Sequence, residues 1–273
     1  MNSIVTRRLK VGYDGVIIVP GFDVELRKGK ITSIIGANGC GKSTVLKAIG
    51  RILPAEGGTV IVNDVDIKTM KSRDVAKWLA ILPQTPTAPG TLTCEELVAY
   101  GRYPYQKGMG RLTKEDRDVV SWALEATGML EFRQREIACL SGGQRQRVWV
   151  AMALAQQTNI VLLDEPTTYL DISYQMEVLE LVRRLNREMG MTIVMVLHDL
   201  NMAARYSDYL YVIKDGGLYA GGAPGEVITL ETLREVFRIE ADITHDAAHD
   251  CPYFIPMRIL NGTAGESPTD TKM

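Results

Sequence analysis

The sequence predicts an α/β protein: a mostly parallel central sheet, an antiparallel β section ahead of it, and a helical segment inserted partway along. Three observations carry that expectation. Residues 31–35, 160–163 and 192–197 are short apolar runs rich in Ile, Val and Leu, the composition of strands buried on both faces. Each is followed by a helix-like segment, at 42–50, 172–189 and 200–206, and alternating strand and helix builds a parallel sheet. Between about 85 and 139 the apolar strands give way to prolines, glycines and helix-like stretches.

Taken in order, residues 4–26 read as short strands separated by glycines, which is the antiparallel section. The run at 31–35 leads into G-A-N-G-C-G-K-S at 36–43, where the helix expected at 42–50 begins. Segments 85–90 and 107–110 look like loops, and 93–101 and 114–127 look helical. A further helix is expected over 145–157, ahead of the strand at 160–163. In 172–189, Ile172, Met176, Leu179, Val182 and Leu185 recur at helical spacing. Asp215, Gly216 and Gly217 between apolar runs at 210–214 and 218–220 signal a hairpin. Residues 261–273 are polar without apolar periodicity and read as a disordered tail. The expected organisation is one domain over 1–260, with its core at about 1–84 and 140–260 and the insert at about 85–139.

At 46% hydrophobic and 23% charged residues, the 273-residue chain has a soluble globular composition. Its formal net charge of −2 gives no overall push toward nucleic acid, and none is expected as a partner. The longest uncharged stretches, 78–94 and 148–163, are broken by prolines or by glutamines and fall short of the ~20 apolar residues of a spanning helix. The chain is therefore expected in the cytoplasm, reaching a membrane only through a partner that spans it. Cys40, Cys94, Cys139 and Cys251 are scattered without metal-ligand spacing and read as reduced thiols, Cys40 as a small neutral filler.

Residues 36–43 fit G-x-x-x-x-G-K-[ST] between a strand and a helix, which makes the core that of a phosphate-loop NTPase. Glycines let backbone N–H groups converge on phosphate oxygens, and the helix N-terminus adds a favourable dipole. Lys42 is expected to bridge β- and γ-phosphates of ATP, and Ser43 to ligate Mg²⁺. The run at 160–165 reads I-V-L-L-D-E, placing two carboxylates at a strand mouth. Asp164 is positioned to hold Mg²⁺ through water, and Glu165 to orient or deprotonate the attacking water. L-S-G-G-Q at 140–144 is expected by chance at about one in a million positions. With the helix after it, Ser141 and its glycines make a second anion-binding helix start, without a lysine.

Together these strings resemble the ATPase subunit of an ABC transporter, over about residues 4–258. The resemblance implies ATP and Mg²⁺ as cofactors and a head-to-tail homodimer sandwiching two ATP molecules. Ser141, Gly142, Gly143 and Gln144 would then close on the γ-phosphate held by Lys42 of a second copy. Gly36, Ala37, Asn38, Gly39, Cys40, Gly41, Lys42, Ser43 and Thr44 would cradle the phosphates, and Tyr13 would stack on adenine. Gln84 matches a glutamine that senses Mg²⁺ and γ-phosphate, His198 a histidine that contacts the γ-phosphate, and Asp171 a loop that communicates across the dimer. Ala37 and Cys40 replace a frequent proline and serine, neither a required side-chain donor. His245 and His249 have a four-residue spacing without a clear third ligand and read as part of a solvated helix or loop.

Finer similarity concerns cargo. Gly101-Arg102-Tyr103-Pro104-Tyr105, Val178-Leu179-Glu180-Leu181 and Leu197-His198-Asp199-Leu200-Asn201 are similar to segments of ferric siderophore importers and their cobalamin and haem relatives. The resemblance implies a separate integral-membrane permease, gripped through about Gln84 to Tyr105, a substrate-binding protein acting indirectly, and a place on the inner face of the cell membrane. Tyr100, Tyr103 and Tyr105 either meet that permease or pack the insert. A soluble ABC ATPase acting on ribosomes or DNA is the competing class; such proteins usually carry two cassettes, and a non-catalytic scaffold is opposed by Glu165 and His198.

Overall fold

A six-stranded sheet forms where the sequence places its apolar runs, in a computed structural model that describes residues 2–106 and 111–260. In chain order the strands are β1 (Asn2–Tyr13), β2 (Val16–Val19), β3 (Val24–Arg27), β4 (Ile31–Gly36), β5 (Gly57–Val62), β6 (Val65–Asp66), β7 (Leu79–Leu82), β8 (Ile160–Asp164), β9 (Thr192–Val196), β10 (Tyr209–Lys214), β11 (Gly217–Gly222), β12 (Ile239–Asp246) and β13 (Cys251–Ile259). The helices are α1 (Lys42–Ile49), α2 (Ser72–Val75), α3 (Cys94–Ala99), α4 (Lys114–Ala126), α5 (Gly142–Ala155), α6 (Ile172–Met189), α7 (Leu200–Tyr206), α8 (Pro224–Val227) and α9 (Leu230–Glu235). The loop expected at 107–110 and the tail at 261–273 lie outside the described residues.

The main sheet runs β11-β10-β4-β9-β8-β7, parallel except for the β11 edge. Side chains alternate between its faces, as a period of two requires. Ile160 and Leu162 of β8 and Val194 and Val196 of β9 join one buried cluster with α1 and the N-terminal strands. Val161, Leu163, Ile193 and Met195 join the other, with α5, α6 and the insert. Each fully buried Leu or Ile contributes about 1.5–3 kcal/mol. The antiparallel sheet, β2-β1-β5-β6 with β3 also on β1, covers the first face.

The first strand corrects the expectation of short strands separated by glycines: β1 is one 12-residue strand running through Gly12. Its alternation slips at Arg7 and Arg8, both exposed, where the pairing with β5 shifts register and Arg8 takes a φ of 46°. The bulge absorbs the slip without ending the strand. The expected hairpin is present, with Asp215 and Gly216 in left-handed backbone between β10 and β11. The helix expected at 145–157 begins earlier, at Gly142, because Ser141 caps it; the one expected at 93–101 passes into a 3₁₀ turn over Tyr100–Tyr105. His245 lies in β12 and His249 in the turn before β13, so the helix-or-loop expectation is half corrected: long antiparallel strands frame that turn.

Helices α3, α4 and α5 each begin with a capping box, from Thr93–Glu96, Thr113–Asp116 and Ser141–Gln144. A buried ion pair holds the insert together, Arg102 Nε donating to Asp116 Oδ1 at 2.9 Å, and Arg102 Nη1 ties the insert to α5 by donating to the carbonyl of Ala155 and to Gln157 Oε1. Burial opposes the ionised Asp116, but hydrogen bonds from Thr113 and Arg102 outweigh it and hold its carboxyl below the usual range. Removing one partner strands a buried charge. Asp116→Ala is expected to lower the unfolding free energy by about 3 kcal/mol in urea titrations; a loss below about 0.5 kcal/mol would contradict this role for the pair.

Candidate functional site

Three parallel strands deliver the predicted residues to one edge of the sheet. β4 ends in the phosphate loop, β8 in Asp164 and Glu165, and β9, lying between them, leads to His198. β7, beside β8, leads to Gln84.

The loop's shape depends on glycine. A Cβ on Gly36 would sit 2.3 Å from the carbonyl oxygen of Ile213 and 2.8 Å from Cys40 Sγ, so β4 can turn against β10 only without a side chain. Gly41, at φ 103°, caps α1 in backbone that L side chains rarely adopt. Ala37, Asn38 and Gly39 are exposed at the tip, Cys40 is half-buried, and Thr44 is buried in the first turn of α1. Burial pushes the Cys40 thiol up despite the nearby Lys42, which keeps it neutral. Lys42 is buried, its amine donating to the carbonyls of Gly36 at 3.0 Å and Ala37 at 2.9 Å. Tyr13, exposed at the end of β1, pairs with Val16 of β2, and that strand's Ile18 and Val19 abut Gly41.

Ser43 Oγ donates to Asp164 Oδ1 at 2.7 Å. The other oxygen, Asp164 Oδ2, is buried without a partner. An orphaned carboxylate oxygen beside a hydroxyl fits a hard divalent cation, which takes oxygen ligands. Burial pushes the Asp164 carboxyl up, against the hydroxyl of Ser43 and the charge of Lys47.

Glu165 is buried and takes left-handed backbone at φ 52°, a conformation that costs a non-glycine residue on the order of 1–3 kcal/mol. Three side chains converge on its carboxylate. His198 Nε2 lies 2.6 Å from Oε1, Thr168 Oγ1 donates to Oε2 at 3.0 Å, and Gln84 Nε2 also donates to Oε2. A carboxylate so fixed beside a phosphate loop can accept a proton from water. Thr168 is the participant that the sequence reading missed; its only signal was its place in the loop after Glu165.

The remaining predicted residues gather elsewhere. Ser141 Oγ accepts from the amide of Gln144, and Gln144 Oε1 accepts from the amide of Ser141. Gly142 faces Leu170, and Gly143 faces Tyr174 so closely that a Cβ would meet its ring at 2.5 Å. Asp171 caps α6 between exposed Tyr169 and Ile172. The structure thus sorts the predicted site into two clusters, one around Lys42, Ser43, Gln84, Asp164, Glu165 and His198, the other around Ser141–Gln144 and Asp171. Among the described residues, no group of three or more His, Cys, Asp or Glu side chains is placed to hold a metal ion, at His245 and His249 or elsewhere.

Comparison with known proteins shows the family to which the chain is similar. The family described as ABC transporter matches residues 19–168. The iron(3+)-hydroxamate import ATP-binding protein of Bacillus subtilis is 53% identical over 252 residues, covering 92% of this chain and 94% of the relative. A metal-chelate type ABC transporter solved in an inward-facing conformation superposes with a TM-score of 0.81 at 25% identity, over 94% of this chain and 98% of that one. A bacterial ABC transporter cassette solved as a dimer gives a TM-score of 0.71 at 28% identity, over 81% and 98%.

The raised Asp164 carboxyl makes a prediction with a definite sign. Because the folded state holds this proton more tightly than the unfolded chain, ionising Asp164 costs stability as pH rises from about 4 through its raised value. Asp164→Asn, without nucleotide or metal, is therefore expected to melt above the native protein at neutral pH, the gap closing toward acid. Thermal melts across pH check this, and an Asn variant that melts lower at neutral pH contradicts it.

Proposed function

The chain belongs to the ABC transporter ATP-binding family, and from that premise we propose that it is the ATP-hydrolysing subunit of a membrane importer, driving uptake of an iron(3+) chelate of the siderophore kind through a separate permease. The observation that carries the reading is the 53% identity with an iron(3+)-hydroxamate import ATP-binding protein over 92% of the chain.

The residues divide the work. The Lys42 amine leaves the carbonyls of Gly36 and Ala37 for the β- and γ-phosphates of ATP, while residues 36–44 offer backbone N–H groups and Tyr13 a ring for adenine. Ser43 and Asp164, with Gln84 nearby, would hold Mg²⁺, which when bound offsets phosphate charge. Glu165 takes the proton of the attacking water, and Gln84, Thr168 and His198 hold its carboxylate in place. Ser141, Gly142, Gly143, Gln144 and Asp171 come from a second copy, closing two composite sites in a homodimer. Among the described residues no hydrogen bond or ion pair joins Ser141–Gln144 to the cluster around Lys42, which supports this sharing, as does the dimeric relative.

Contact with the permease is assigned to about Gln84 through Tyr105. Tyr100 and Tyr103 stand exposed there, and a cleft of about 530 Å³ opens between α2 and Tyr103, Pro104 and Gln106. Tyr105 instead packs inward, its hydroxyl donating to the carbonyl of Gln156 and its ring lying 4.1 Å from the Arg102 guanidinium. No helix among the described residues is long and apolar enough to cross a membrane, which suits a peripheral subunit on the cytoplasmic face. A binding protein that delivers the chelate completes the system from the other side. The division into a core at 1–84 and 140–260 and an insert at 85–139, within one domain, is supported by a continuous buried cluster linking Leu97 and Leu124 of the insert to Val161 and Met195 of the sheet.

Glu165→Gln removes the proton acceptor while keeping the side chain's size. It is expected to lower ATP turnover at least about a hundredfold and to elute as a dimer in Mg-ATP. A variant that stays monomeric and hydrolyses at the native rate would refute the assignment.

A further inference from the structure

The end of the sheet opposite the phosphate loop carries a second concentration of cationic side chains. A cleft of about 410 Å³ opens there between the end of α6, the residues after α7 and the tip of the β12–β13 hairpin. Ile31 lines it and is the first residue of β4, whereas Gly36, at the loop, is the last. At ~3.3 Å per residue the two regions lie roughly 17 Å apart. Arg183, Asn186 and Arg187 of α6 line the cleft together with Arg205 of α7, Ser207 and His249.

The acids around this cleft are already engaged. Glu180 takes Arg183 at 2.7 Å through both of its oxygens, and it also accepts from the Tyr206 hydroxyl. Asp208 takes the Lys30 amine at 2.9 Å and the amide of Ile31 at 2.8 Å. Asp246 lies 2.7 Å from His249 Nδ1, and the exposed Asp250 lies 3.3 Å from His245. Arg187 and Arg205 make no hydrogen bond or ion pair among the described residues, although the charge of Arg205 helps hold the Glu180 carboxyl low, and Arg205 Nε is buried with no acceptor. Both Arg183 and Arg205 stack on the Tyr206 ring, at 5.1 and 5.3 Å, so two like charges share one aromatic support. The carbonyl end of α6 favours Arg187 in its last turn, but by only about half a charge. Two forked donors thus face the same cleft with no protein acceptor, and a buried donor without an acceptor carries a desolvation cost that a ligand can relieve.

We propose that this cleft is a second anion site, separate from the phosphate loop, which binds a phosphoryl group through Arg187 and Arg205. Guanidinium forks match tetrahedral oxyanions in geometry and charge. The group is carried either by a small soluble phosphate or by a lipid headgroup. Arg205 lies in the last turn of the short helix that begins two residues after His198, so an anion here bears directly on that helix.

The test uses the full chain with its phosphate loop filled by Mg²⁺ and a non-hydrolysable ATP analogue, titrated with inorganic phosphate in a calorimeter. One saturable site per chain is expected, weakened at least tenfold in Arg187→Gln/Arg205→Gln. It should be unchanged in Arg184→Gln, a residue whose guanidinium donates to the carbonyl of Ala126 and does not line the cleft. Both variants should keep the native ATPase rate, which verifies that they fold. Binding to vesicles containing phosphatidic acid but not to free phosphate, lost in the double variant, supports the site with a lipid source. Absence of both at millimolar phosphate, or equal binding by native protein and double variant, overturns the proposal.

Discussion

Hydrogen bonding between β4, β9 and β8 sets everything at the nucleotide end of this molecule. Ile34 pairs with Val196, and Val196 pairs with Asp164, so the three strands finish level. The phosphate loop, His198 and the Asp164–Glu165 pair emerge side by side for that reason alone. A slip of one residue in β9 would exchange its two faces, moving Val194 and Val196 from one buried cluster into the other. Burial on both faces makes that slip costly, and the core therefore fixes the site's geometry.

Against this rigid frame, the site holds several locally unfavourable features. Glu165 is in left-handed backbone, Asp164 has a buried oxygen without a partner, and Lys42 is buried with its amine on two carbonyls. Each would be relaxed by a different backbone or a more open pocket if stability alone mattered. Under the proposed function, a triphosphate would take the Lys42 amine and a divalent cation the free oxygen of Asp164. The second cluster, at Ser141–Gln144 and Asp171, is held by its own capping box, and exposed Tyr169 and Ile172 beside it leave apolar surface available to another chain. The proposed head-to-tail pair of copies would join these two half-sites.

Much of this was legible in the sequence, and the limits have physical causes. Strands β4, β8 and β9 were readable because burial on both faces demands unbroken Ile, Val and Leu; α6 was readable from helical spacing and α7 from its place after a buried strand. The four residues of β7 were hidden in an uncharged stretch that runs on into prolines. The β12–β13 hairpin was missed because its outward face carries Tyr253, Ile255 and Met257 while polar residues at its turn suggested solvent. Within the site, residue types with fixed chemistry (Lys42, Asp164, Glu165, His198) could be named from motif and spacing. Thr168 could not, since its role comes from the turn that Glu165's backbone creates.

The sharing of one active centre between two copies is tested most directly by mixing two disabled chains. Lys42→Ala keeps Ser141 but loses the phosphate lysine, and Ser141→Arg keeps the loop but blocks its neighbour's pocket. Each alone should hydrolyse ATP at background rates, and mixing them should restore turnover, because half of each mixed pair is an intact composite site. Full activity of Ser141→Arg by itself, at any dilution, would contradict the account.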